Sequence, residues 1–159
     1  MPEENYLDIL EQSLEKKLGI LQQIRVKNEQ QRVMLLDDEL GPDEFEHNIE
    51  TKGALVEQLE LLDDGFGEIY ERIRLQLNAD KKRYREQIQR LQERIRQVTA
   101  ESTSIQAEEQ RNYKLAQKKF SDVKKQIREV KTSYKAVNQY YRSMTNTNYV
   151  DAHFMDNKN

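Results

Sequence analysis

The chain of 159 residues contains no cysteine and no tryptophan, and only two prolines and five glycines. Without cysteine there is no disulfide framework and no thiolate metal site. With no tryptophan, and with 36% hydrophobic against 35% charged residues, a thick globular core is out of reach. An elongated bundle is not, because each of its helices buries only about two positions in seven. Long apolar runs are missing too: nothing approaches the roughly eighteen apolar residues that cross a bilayer. The acidic start, Met1-Pro2-Glu3-Glu4-Asn5, has no apolar segment of the kind found in a secretory signal. These absences predict a soluble, cytoplasmic protein with no membrane insertion.

What the chain does have is helical period. From Lys81 to Met144 there is no Gly or Pro. Tyr84, Ile88, Leu91, Ile95 and Val98 recur at alternating three- and four-residue steps. So do Phe120, Val123, Ile127, Val130, Tyr134, Val137, Tyr141 and Met144. Such a seam calls for an α-helix with one buried stripe. Unbroken over 81–144, that helix would be about 90 Å long. Its middle, 99–112, has only Ile105 as a large apolar residue in register. No Gly or Pro demands a break there, so the helix is expected to run through.

Two helices precede it. Helix 1, about 4–39, carries the seam Leu7, Leu10, Leu14, Leu18, Leu21 and Ile24, with Lys17 beside Leu18. Asn28 and Gln31 then occupy core register, which either fixes the pairing or marks where packing stops. Glu3 and Glu4 suit the positive end of the helix dipole. Gly41-Pro42 separates helix 1 from helix 2, with Gly as a C′ residue and Pro in the first turn that follows. So short a connection makes the two helices antiparallel neighbours.

Helix 2, about 43–77, has the seam Phe45, Ile49, Val56, Leu59, Leu62, Phe66, Ile69, Ile73 and Leu77, with Lys52 the one charged residue in register. Gly65 and Gly67 predict a kink or a close helix approach. Asp63 and Asp64 lack the alternate spacing of a calcium loop. Asn78-Ala79-Asp80 supplies a turn and an N-cap for helix 3. The pattern stops at Thr145, leaving a flexible tail, 145–159, with an aromatic patch from Tyr149 to Met155. The predicted fold is therefore all-α: an elongated antiparallel helical bundle, or coiled coil, of three long helices. The third is the longest, and one domain covers 1–144.

Charge is divided unevenly. Residues 1–80 carry 20 acidic and 8 basic side chains, and residues 81–159 carry 9 and 18. An acidic half and a basic half in one chain predict that the first folds back on the second.

No catalytic constellation is present, and no cofactor or metal site is expected. His47 and His153 stand apart without ligand patterns around them, and there is no phosphate loop or nucleophile elbow. Two basic clusters, Lys81–Arg96 and Lys114–Arg128, would attract phosphate. No recognition module accompanies them, so nucleic acid is an unlikely partner. The informative feature lies elsewhere. Helices 1 and 2 cover only about half of a helix spanning 81–144, and the stripe Phe120, Val123, Ile127, Val130, Tyr134, Val137, Tyr141 and Met144 is left over. An uncovered apolar stripe implies a protein partner, either a second copy or another chain's helix.

The layout resembles the FlgN-type flagellar export chaperones. The likeness rests on the Leu-rich first helix (Tyr6-Leu7-Asp8-Ile9-Leu10 through Leu21), the Gly-Pro connection, and the segment Ile49-Glu50-Thr51-Lys52-Gly53-Ala54-Leu55-Val56-Glu57-Gln58-Leu59. That segment looks like the family's K-x-x-L-(I/V)-x-x-L pattern; the long third helix and aromatic tail fit too. The resemblance implies a non-enzymatic cytoplasmic chaperone that holds hook-associated proteins before type III export. The client would pack on the C-terminal part of helix 3, above all on Val130, Tyr134, Val137, Tyr141 and Met144. Two alternatives stay open: a coiled-coil component of the export apparatus similar to the FliJ-type stalk, and a self-associating structural coiled coil.

Overall fold

A heptad seam alternates steps of three and four, and on the first helix the buried positions keep that rhythm for the whole length: Leu7, Leu10, Leu14, Lys17, Leu21, Ile24, Asn28, Gln31 and Leu35, with Ile20 buried beside Leu21. In this computed structural model, residues 3–39, 41–121 and 123–142 are described, without the side chains of residues 3, 4 and 42. Met144, the tail 145–159, His153 and the end-charge role of Glu3 and Glu4 lie outside what is described. The described residues are all-helical: α1 (Glu3–Leu35), α2 (Pro42–Ala79), α3 (Arg85–Lys119) and α4 (Lys124–Arg142). There are thus four helices rather than three, and α2 is the longest at 38 residues.

α1 stops at Leu35, short of the expected 39. Its last turn tightens, with Leu36 N–H donating to the Arg32 and Val33 carbonyls and Asp37 N–H to Met34, all within 3.2 Å. Lys119 Nζ donates to the Asp37 carbonyl, tying this turn to the far end of α3. Gly41 is not a left-handed C′ residue: at φ −78°, ψ 140° it is extended and acts as the N-cap of α2. Asp43 and Glu44 occupy the first turn of α2, where acids meet the helix dipole favourably. Gly65 causes neither a break nor a close approach, since α2 runs through it and a Cβ placed there would meet nothing within 4 Å. α2 also absorbs Asn78 and Ala79. Buried Tyr84, not Asp80, caps α3, and no side-chain hydrogen bond accompanies it.

The larger correction concerns the third helix. It continues through 99–112 as expected, because Ser102, Ile105, Glu109 and Asn112 keep the buried register. It then ends at Lys119. Phe120 N–H closes the last turn on Ala116 at 2.9 Å, and Val123 N–H donates to the Phe120 carbonyl at 2.9 Å. The chain reverses here without Gly or Pro. Ser121 is a turn-forming residue type. The energetic reason lies in the packing: Phe120 meets Phe45 at 5.2 Å between ring centroids, and reversal folds the apolar stripe of α4 onto its own chain. There is no 90 Å rod.

α1 packs against α2 and α3, and α4 packs against α3 and α2. Cross-links fix the directions. Lys17–Asp63 and Gln31–Asn48 make α1 and α2 antiparallel. Glu11–Arg90, Glu15–Arg94 and Asn28–Asn112 make α1 and α3 parallel. The Tyr113–Tyr134 stack, at 4.4 Å, makes α3 and α4 antiparallel. Tyr140, near the end of α4, reaches Asp63, so four helices surround one half of the molecule and three the other. The expected fold-back of the acidic half appears in the Glu11–Arg90 and Glu15–Arg94 pairs, although Arg25 reverses the pattern by binding Glu101 and Glu108.

Candidate groove between α2 and α4

Two apolar clusters make up the core. The larger joins Leu7, Leu14, Ile24, Leu59, Ile73, Ile95 and their neighbours, and the smaller joins Leu35, Phe45, Ala116, Phe120 and Val130. A polar layer stands near their junction. Asn112 Nδ2 donates to the Asn28 carbonyl (2.9 Å) and to Gln31 Oε1 (3.1 Å). Gln31 Nε2 donates to Asn48 Oδ1 (3.2 Å), and Asn48 Nδ2 to the Lys27 carbonyl (3.1 Å). Lys52 Nζ crosses the bundle to within 2.5 Å of Glu109 Oε1, an ion pair by distance without hydrogen-bond alignment. Asn28 and Gln31 therefore mark a buried, largely hydrogen-bonded polar layer, not the end of packing, with Asn28 Oδ1 left without a hydrogen-bond partner. Removing any one of these partners strands a buried polar group.

A second buried network sits where α4 ends. Lys17 Nζ donates to Asp63 Oδ1 at 2.6 Å, Tyr140 Oη donates to Asp63 Oδ2 at 2.7 Å, and the Lys17 ammonium lies 5.7 Å from the Tyr140 ring centroid. Burial lowers the Lys17 pKa, opposed by the charge and hydrogen bond of Asp63. Burial also raises the Tyr140 pKa well above the phenolic range, assisted by the Asp63 carboxylate. Tyr141 is raised likewise, by burial first and then by Glu109, Glu108 and Asp63. These groups tie α1, α2 and α4 together. Among the described residues no group of three or more His, Cys, Asp or Glu is placed to hold a metal ion, and no helix is long and apolar enough to cross a membrane.

The residues expected to meet a client are mostly spent inside the molecule. Phe120, Val130, Val137 and Tyr141 are buried, Ile127 and Tyr134 are half-buried, and Val123 remains 43% exposed. The premise of an uncovered stripe therefore fails for the described part, because α4 has turned back and covers itself. The Tyr134 ring is occupied by its stack on Tyr113.

One seam that remains open is that between α2 and α4. The two helices do not close on each other along this edge, and they leave a groove of about 600 Å³. Its floor is Ile49, Val56, Ala136 and Val137. Gly53 lies midway, and a Cβ built there would touch nothing within 4 Å, so the groove widens at that point. Thr132 and Ser133 line the α4 wall beside Arg128 and Glu129; Glu46, Glu50, Glu57 and Glu60 line the α2 wall. From Glu46 to Glu60 the helical rise gives the wall a length of about 21 Å. Sequence reasoning missed this wall, although its signal is visible: Glu46, Glu50, Gly53, Glu57, Glu60 and Asp64 recur at alternating steps of four and three, one stripe over from the seam.

No family model matches the chain, and no curated protein or solved structure matches it.

Proposed function

We propose that this protein is a non-enzymatic chaperone that holds a helical segment of a client in the groove between α2 and α4. In the terms of its resemblance to the FlgN-type family, the clients are hook-associated proteins awaiting export from the cytoplasm. The observation that carries this reading is the groove itself: an apolar floor with polar walls, about 21 Å long, is the shape that a short amphipathic helix fills. It draws on the region named for client contact, the C-terminal part of the chain, but through the outer edge of α4 rather than its buried face. A FliJ-type stalk calls for a two-helix rod, which four helices folded together do not form. A self-associating coiled coil calls for a stable dimer without a client.

Light scattering on the purified protein, alone and mixed with a hook-associated protein, separates these readings. A monomer that shifts to a one-to-one complex, and loses the shift on Gly53→Trp, is the expected result. That substitution points a large side chain into open space and fills the groove from within. A complex unaffected by Gly53→Trp would place the client elsewhere, and a client-indifferent dimer would end the chaperone reading.

A further inference from the structure

The groove's two walls differ in charge, and the difference specifies its occupant. The α2 wall presents Glu46, Glu50, Glu57 and Glu60 on one stripe, with Asp64 continuing it. None of these five carboxylates takes part in an ion pair within the described residues. By contrast Glu11, Glu15, Glu101, Glu108 and Glu109 on α1 and α3 all do. Across the groove, Arg128 is the one basic residue lining the α4 wall, set against four lining carboxylates of α2 and forming no ion pair with them; Glu129 is 3.9 Å from Lys125 on its own helix, and Thr132 and Ser133 are neutral. Like charges three and four residues apart on a helix oppose its formation. A row of them left unneutralised beside an apolar floor, with Gly53 clearing room between its two halves, matches a ligand that brings the opposite charge. Resting on the proposed function, we infer that the groove's occupant is a basic amphipathic helix. Its apolar stripe lies on Ile49, Val56 and Val137, and its Lys/Arg flank faces the α2 carboxylates.

Complementary charge of this kind governs partner choice and association rate more than the apolar floor does, and it weakens with salt. The test uses two synthetic helical peptides of about 16 residues, long enough to span the groove. They share one leucine stripe and differ only in carrying Lys or Glu along one flank. Fluorescence anisotropy measures binding to the full chain, to Gly53→Trp, and to Glu50→Lys/Glu57→Lys, whose two sites are exposed and whose helicity circular dichroism checks. The expected result is a Lys peptide bound at least about tenfold more tightly than the Glu peptide at low salt. That preference is largely lost on the charge-swapped protein, whose α2 wall is about neutral, and it shrinks as salt rises. Equal binding of both peptides, abolished by Gly53→Trp, leaves the groove as a helix site and overturns the basic occupant. Failure of both peptides to bind the unaltered protein overturns the helix site and its occupant together.

Discussion

Lys52 is 1% exposed and Glu109 6%, and their ion pair spans the bundle from α2 to α3. A pair so deeply buried adds little net stability, because the cost of taking both charges from water offsets their attraction. Breaking it is another matter. Lys52→Met leaves the Glu109 carboxylate buried without its cation and is expected to cost about 3–5 kcal/mol in urea unfolding. Removing both charges in Lys52→Met/Glu109→Leu is expected to recover most of that loss. A double variant as unstable as the single one would show that the pair's worth lies in something other than mutual compensation. Residue by residue, the sequence was least legible at such positions. Leu18 looks like the core residue and Lys17 its neighbour, yet Lys17 is 2% exposed because the three-four rhythm, not hydrophobicity, decides which side chain faces inward. Asn48 displaces Ile49 from the core for the same reason, and Tyr70 displaces Ile69.

At the scale of elements, long periodic segments were easy to read and their ends were not. α1, α2 and the run of α3 through 99–112 follow from spacing alone. The reversal after Lys119 does not, since it breaks no local rule and the apolar rhythm passes straight across it. Its cause is tertiary: the stripe of α4 finds cover on α2 and α3, and that outweighs the few hydrogen bonds a continuous helix would keep. Spin labels at exposed Lys114 and Lys135 distinguish the two arrangements. In one continuous helix these positions would lie about 31 Å apart. In the hairpin they share one level of the bundle, as the neighbouring Tyr113–Tyr134 stack shows, and the measured distance is expected to fall far below that value. A distance near 31 Å would restore the rod and reopen the stripe as a binding surface.

For the whole molecule, alkaline pH reports on how the half with four helices is held shut. Tyr140 and Tyr141 titrate from an ordinary value of 10.0 in the unfolded chain and higher in the fold. Above about pH 10 the folded state therefore holds protons that the unfolded state has lost, and stability falls as pH rises. Lys17 has the opposite sign. Its folded pKa is lowered, so its contribution grows as pH climbs toward 10.5 and then levels off. The fall above pH 10 thus belongs to the tyrosines. Urea unfolding from pH 8 to 11.5 is expected to show it, and Tyr140→Phe/Tyr141→Phe is expected to flatten it. The same variant lowers the plateau at pH 8 by about 1 kcal/mol, because Asp63 loses a hydrogen bond. An unchanged slope would remove the tyrosines from the account.

The parallel pairing of α1 with α3 also shapes the order in which the molecule is made. Partners such as Glu11 and Arg90, or Asn28 and Asn112, stand about half the chain apart, whereas α1–α2 and α3–α4 meet across short turns. The two hairpins are expected to close early and the long-range pairing last, since loop closure must precede its reward. During synthesis α1 and α2 emerge well before α3. For that interval, Leu7, Leu14 and Ile24 have cover on one side only, and the nascent hairpin is the stage at which the chain is most exposed to aggregation.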